Sequence, residues 1–277
     1  MKSTNKLSTL NILIYLILFA GLVIMIGPFL WMISTSFKTT NAVLQIPPQW
    51  IPDSPTANNY LRLFSEFNFY RPFINSVIVA VTTPVLSLLV CSMAGYAFAK
   101  FDFPFKRVLF LVVLGTLMVP TQITMIPVFL LLKRLAMLNT YRGLILPGVA
   151  TAFNIFFLRQ FMQSIPEELL EAARIDGAGE FFIFFKIVLP LTKPALAALG
   201  IFSFTGAWNQ FLWPLIIATS EKMYTLPVAI SNLTGQFSSA YGLQMAASVM
   251  ATLPIIIIFL FAQKYFIRGI TLSGLKG

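Results

Sequence analysis

Hydrophobic residues run through this chain in long blocks rather than in alternation or in a narrow helical stripe. Leu7 to Phe37 holds no charged residue, and neither do the stretches between Arg71 and Lys100 or between Arg107 and Lys133. Blocks of that length are read as helices crossing a bilayer, where each backbone group must be satisfied within its own segment. The pattern predicts six spans, at 11–34, 73–98, 108–132, 141–162, 194–218 and 244–263, with short tails at 1–10 and 266–277. In the fourth, only 16 residues separate Arg142 from Arg159, so both guanidiniums are expected to reach back toward headgroups. The first block is too long for a secretory leader and lacks a small-residue cleavage site, so it is read as retained. The expected fold class is an all-α membrane protein with six transmembrane helices.

Between the fourth and fifth spans the pattern changes. Ser164–Pro190 carries Glu167, Glu168, Glu171, Asp176 and Glu180, five of the nine acidic residues in the chain. Ser164 followed three residues later by Glu167 reads as a capping box, Pro166 suits a first helical turn, and the early glutamates suit the positive end of a helix dipole. Gly177 stands where a left-handed residue ends a helix. The stretch is therefore expected to be helix, turn, helix, with Leu169, Ala172, Ala173 and Asp176 on one face of the first helix. Small side chains there let another protein approach the backbone closely.

Two outer segments carry their own signals. Pro47, Pro48, Pro52 and Pro55 predict extended chain over 45–55, and Thr56–Phe69 is expected to form a short interfacial helix with Tyr60, Leu61, Phe64 and Phe67 on its apolar side. Thr219–Gly242 is polar and contains glycine, and is expected to be a loop that either projects toward a partner or only connects. Ser76, Ala80, Ser87, Ala94 and Gly95 in the second span are small enough for close helix approach, and Pro120, Pro127 and Pro254 are candidate bends.

Composition agrees with the pattern: the chain is 58% hydrophobic and 10% charged, with a mean hydropathy of +0.85. The net charge of +10 is spread over loops with no basic stripe, which argues against a nucleic-acid partner. Counting Lys and Arg, both termini inside gives twelve basic residues on the cytoplasmic side against seven outside. That orientation puts Ser164–Pro190 in the cytoplasm. With no histidine and a single cysteine, Cys91, a zinc, haem or iron–sulfur site is not expected. The span cores carry no ionisable residue of the kind ion-driven carriers use, and no phosphate-binding loop appears. The chain is therefore not expected to be an enzyme, and an energised transporter built from it needs its motor from another subunit.

Glu171-Ala172-Ala173, three residues, Gly177, nine residues, then Ile187-Val188-Leu189-Pro190 resembles the EAA motif of the permease subunits of bacterial ABC importers. Arg174-Ile175-Asp176-Gly177-Ala178, the run Gly206–Pro214 and the closing Arg268-Gly269-Ile270-Thr271 are similar to the carbohydrate, maltose-type branch. That resemblance implies a type I importer permease fold with cytoplasmic coupling helices in a bacterial inner membrane. It implies that Glu171, Ala172, Ala173, Arg174, Asp176 and Gly177 dock on an ATPase. It also implies as partners a second homologous permease chain, two ATPase subunits holding ATP and Mg, and an extracytoplasmic solute-binding protein, with no cofactor in this chain. A sugar or oligosaccharide is the expected solute; a compatible solute or a glycerol-phosphate-type solute is the alternative.

Uncharged polar residues inside spans are the candidates for the pathway: Gln122, Asn154 and Asn209, with Trp208 and Trp213 flanking the last. An amide offers both donor and acceptor to a hydroxyl-rich solute, and an indole can stack on a sugar ring. Equally, amides join helices to one another and tryptophans lie at membrane interfaces. Thr121, Thr124 and Gln210 are further polar positions, Gln210 standing where the related branch more often has glutamate.

Overall fold

The computed structural model describes residues 9–237 and 239–274, with side chains described for 11–237 and 239–261. The tail positions 1–8 and 275–277 and Ser238 lie outside the described residues, as do the side chains of Lys264 and Arg268. Helices among the described residues are α1 (Thr9–Ser36), α2 (Thr40–Val43), α3 (Asn58–Ser65), α4 (Tyr70–Lys100), α5 (Lys106–Gly115), α6 (Thr121–Arg134), α7 (Tyr141–Ile145), α8 (Ala152–Gln163), α9 (Glu167–Ile175), α10 (Glu180–Ile183), α11 (Leu189–Leu191), α12 (Lys193–Trp208), α13 (Leu212–Ile217), α14 (Leu226–Gln236) and α15 (Tyr241–Gly274). No strand occurs among them.

Three helices are long and apolar enough to cross a bilayer singly: Asn11–Ser36, Tyr70–Lys100 and Tyr241–Phe261. Three further helix pairs reach that length only as bent units, which makes six if each pair is one span. The expected span at 108–132 breaks at Pro120, where Lys106–Met118 and Thr121–Arg134 meet at 104°. Proline disfavours the α conformation at the residue before it, and Val119 is extended (φ −88°, ψ 117°). The first helix therefore ends there and Pro120 takes the N-cap position of the second, whereas Pro127 and Pro254 stay inside α6 and α15. The expected span at 141–162 bends by 45° around Thr151, and the helical run Glu180–Leu191 turns by 76° into α12. The expected span at 194–218 ends its main helix at Trp208; Asn209–Phe211 separates it from α13.

The chain divides into two compact units. One comprises residues 1–68 and 230–253. In it the end of α1 is tied to α3: Asn59 Nδ2 donates to the carbonyls of Ser36 (2.8 Å) and Lys38 (2.9 Å), and the Tyr60 and Ser36 hydroxyls pair at 2.8 Å. These bonds decide which side of α3 is inward. Asn59 and Leu63 are buried; of the expected apolar side, Leu61 and Phe64 are exposed, while Tyr60 and Phe67 are half-buried against Phe37 and Phe237. Residues 45–55 are non-helical, as their prolines dictate.

The second unit comprises residues 69–229 and 254–277. Its centre is α4, packed along α8 and α12. Close approach comes from small residues: a Cβ on Gly95 would stand 3.0 Å from the Arg159 nitrogen and 3.1 Å from Leu158 Cβ. Ser76, Ala80 and Ser87 are buried on the same helix. Arg159 is held at this crossing, its Nε donating to the Phe98 carbonyl (3.2 Å) and its guanidinium over the Phe110 ring at 4.1 Å.

The expected loop at 219–242 is replaced over much of its length by α14. Leu226, Ala229 and Leu233 recur at helical spacing and are buried, while Ser231, Thr234 and Gln236 are exposed. Its polar composition belongs to one face of a helix.

Candidate functional site

The acidic island folds into a helical knob. α9 starts at Glu167 with Pro166 in the N-cap position, and the capping box does not form. Ser164 still closes α8, its hydroxyl donating to the Phe161 carbonyl at 2.7 Å. Glu167 is thus the first helical residue, too early in the turn to reach back to a cap. The other end behaves as its sequence requires. Gly177 sits at φ +84°, Gly177 N donates to the Arg174 carbonyl (3.0 Å) and Ala178 N to the Ala173 carbonyl (2.9 Å). That pair of bonds is a Schellman closure, and it needs a residue without a Cβ penalty at position 177.

What fixes the knob is its inner side. Leu170 is fully buried among Tyr96, Met162, Ile165, Ile183, Phe184 and Val188. Burying a leucine contributes about 2 kcal/mol. The Ile187–Pro190 end of the motif therefore supplies part of the seat for the Glu171–Gly177 end. One turn of π-helix, Phe184–Val188, carries these residues beneath α9.

Charged groups close the base. Lys100 Nζ donates to the Ile165 carbonyl (2.6 Å) and to Glu167 (3.0 Å). Arg174 Nε donates to Glu180 Oε1 at 2.8 Å, and its other arm lies 3.7 Å from Glu167. Tyr96 donates its hydroxyl to Glu180 Oε2 at 2.9 Å. The bond to Glu180 raises the Arg174 pKa above its ordinary value.

Of the six expected docking residues, Glu171, Ala172, Asp176 and Gly177 are exposed, beside Leu169 and Ile175, the last 85% accessible. Ala173 is half-buried against the seat, and Arg174 is engaged in the base network. Sequence reasoning did not single out Tyr96, Lys100 or Glu180 as a group. They come from α4 and α10, and no local spacing connects them.

The expected pathway residues separate. Asn154 is buried, its Nδ2 donating to the hydroxyls of Ser87 (3.1 Å) and Ser203 (3.4 Å), and it lies in the wall of a cavity between α4, α8 and α12 that Gln210 also lines. Asn209 is exposed at the end of α12, and Gln122 is exposed on α6 near the Thr121 hydroxyl. The two tryptophans are packing elements in this structure. Trp208 stacks on Phe204 (5.9 Å) and meets Phe73 edge-on (5.9 Å). Trp213 donates its indole N–H to the Gly143 carbonyl at 3.1 Å, inside the cluster with Leu144, Ile145 and Ile217.

Residues 89–272 match the family model described as binding-protein-dependent transport system inner membrane component. The chain is 42% identical to the arabinooligosaccharides transport system permease protein AraQ of Halalkalibacterium halodurans, covering 92% of each. It is 37% identical to the diacetylchitobiose uptake system permease protein NgcG of Streptomyces coelicolor, over 87% of this chain and 81% of that one. Among solved structures it is similar to a chain of a bacterial ABC transporter involved in the import of the acidic polysaccharide alginate, with a TM-score of 0.83 and 26% identity, covering 96% of this chain and 99% of that one.

Proposed function

The chain belongs to the family of binding-protein-dependent transport system inner membrane components, and on that premise we propose that it is the permease subunit of an ATP-driven importer for a sugar or oligosaccharide. It works with a second homologous permease chain, two ATPase subunits that hold ATP and Mg, and an extracytoplasmic solute-binding protein. Both termini and the knob face the cytoplasm.

The observation that carries this reading is the knob itself. α9 is seated by Leu170 and braced by Arg174, yet it leaves Leu169, Glu171, Ala172, Ile175 and Asp176 uncovered. A rigid lever with a small-residue outer face suits a groove on a moving partner, and the displacement passes through its seat into α4. The carbohydrate assignment is supported by relatives named for arabinooligosaccharides and diacetylchitobiose.

The test is the double variant Glu171→Ala with Gly177→Ala. It is expected to remain in the membrane while losing the co-purifying ATPase in mild detergent and losing sugar uptake. Uptake at the normal rate by this variant would overturn the coupling role.

A further inference from the structure

Two arginines on the knob's side of the second unit have no carboxylate to answer them. Arg159 is held in place: its Nε donates to the Phe98 carbonyl at 3.2 Å and its guanidinium lies over the Phe110 ring at 4.1 Å. One of its five N–H donors is thereby used, and the two Nη groups have no partner among the described residues. Phe98 is two residues from Lys100, whose Nζ donates to the Ile165 carbonyl at the foot of the knob. Arg159 therefore stands level with the end of α4.

Arg107 lies beside it, one turn before Phe110 on α5 and on the same face. It is exposed and makes no hydrogen bond or ion pair among the described residues. All nine acidic residues of the chain are described, and the pairs they form go to Arg62, Lys100, Lys106 and Arg174. Position deepens the deficit. Lys106 and Arg107 open α5 at the positive end of its dipole, where cations are disfavoured, and its first turn holds no acid. Asp102 offsets Lys106 at 3.2 Å, and nothing offsets Arg107.

The surface next to these charges is apolar. Phe105 is 77% accessible, and Leu111, one turn beyond Arg107 on its face, is exposed together with Val108 and Val112. A free anion gains nothing from such a surface, whereas an amphiphile with an anionic head does. Guanidinium groups take phosphate oxygens through paired hydrogen bonds, and basic pockets between helices at a membrane boundary bind lipid head groups.

We propose that Arg107 and Arg159 form a site for one anionic phospholipid, the guanidiniums holding its phosphodiester while an acyl chain lies along α5. The lipid supplies the missing counter-ion and clamps α5 to the crossing of α4 and α8. The site is independent of which solute the chain carries.

The test uses the assembled transporter, delipidated in mild detergent and followed by thermal unfolding. Dioleoylphosphatidylglycerol is titrated in, with dioleoylphosphatidylcholine, glycerol 3-phosphate and inorganic phosphate as separate arms. Phosphatidylglycerol is expected to raise the melting temperature where the other three do not. Arg107→Gln alters a side chain without partners in the fold, and is expected to raise the half-maximal lipid concentration about fivefold. Arg107→Lys, which keeps the charge but not the fork, should fall between. Arg159 also holds a backbone carbonyl, so Arg159→Gln is read instead by native mass spectrometry, with one fewer phosphatidylglycerol retained per copy of this chain. Stabilisation by glycerol 3-phosphate or inorganic phosphate alone would overturn the lipid as occupant in favour of a free anion. Equal stabilisation by phosphatidylcholine, or an unchanged phosphatidylglycerol response in Arg107→Gln, would overturn the site. No response from the unaltered transporter would overturn it too, leaving this face of α5 to another protein surface in the assembly.

Discussion

Arg174 donates to Glu180 at 2.8 Å across the turn at Gly177, so a residue expected on the outer face of the knob braces it from within. Glu180 also accepts from Tyr96 on α4, and Glu167 accepts from Lys100 at the end of the same helix. The lever is thereby joined by side chains to the longest helix of its unit. Each pair is partly exposed and individually weak, about 0.2–1 kcal/mol, but the connected set fixes an angle that one pair would not.

Replacing Arg174 with alanine is therefore expected to loosen the knob without removing it. Hydrogen exchange at residues 174–180 should rise, and the variant should hydrolyse ATP in the assembled transporter with less sugar moved per ATP. Arg174→Lys keeps the charge but cannot reproduce the planar fork, and should fall between the two. Unchanged exchange in Arg174→Ala would show that the Leu170 seat holds the knob alone.

Gly177 has the other fixed role. At φ +84° a Cβ meets no neighbour, so the obstacle to substitution is backbone strain alone. Gly177→Ala should cost about 1–2 kcal/mol and Gly177→Asn less, since asparagine tolerates the left-handed region. Gly177→Val should be the worst, being β-branched. Uptake ranked Gly, Asn, Ala, Val is the expected result. An equal loss in all three would mean that the missing side chain itself is needed at a contact.

What the sequence made legible is local. The helix, turn and helix of the island, the glycine closure and the absence of helix in the proline segment each follow from a few adjacent residues, although that segment bends repeatedly where extended chain was expected. What it hid depends on where distant elements meet. Ser164 and Glu167 have capping-box spacing, but the preceding helix keeps Ser164 for its own end. Leu226–Gln236 is polar enough to pass for a loop, and only the burial of Leu226 and Leu233 shows a helix. Trp213 has the composition of a sugar platform, yet its N–H is taken by Gly143, seventy positions away in the chain. Asn154 was legible as a polar residue in an apolar block. Its companions Ser87 and Ser203 were not, since three helices had to be assembled first.

The crossing of α4 and α8 gives a stability prediction independent of transport. A Cβ at Gly95 would press on backbone at 3.0 Å, which cannot rotate away as a side chain would. Gly95→Ala should lower thermal stability modestly. Gly95→Leu should cost about 1–3 kcal/mol or more, as overpacking does, and expose Arg159 by prising Phe98 and Phe110 apart from it. A thermal-shift series in detergent, Gly above Ala above Leu, checks this.

Asn59 is the corresponding test of the first unit. Its amide nitrogen donates to the carbonyls of Ser36 and Lys38, at the end of α1 and in the turn that leads to α2. The Asn59 side chain is the tie that turns Leu63 inward and leaves Leu61 and Phe64 outward. Asn59→Ala leaves two carbonyls without their donor, at about 1–3 kcal/mol for each that stays buried. Asn59→Asp should be at least as damaging, because a carboxylate cannot donate to a carbonyl. Limited proteolysis of 37–57 is the readout, and both variants should be cut faster than the unaltered chain. Faster cutting in Asn59→Ala with none in Asn59→Asp would mean that side-chain volume, rather than donation to the two carbonyls, holds the segment in place.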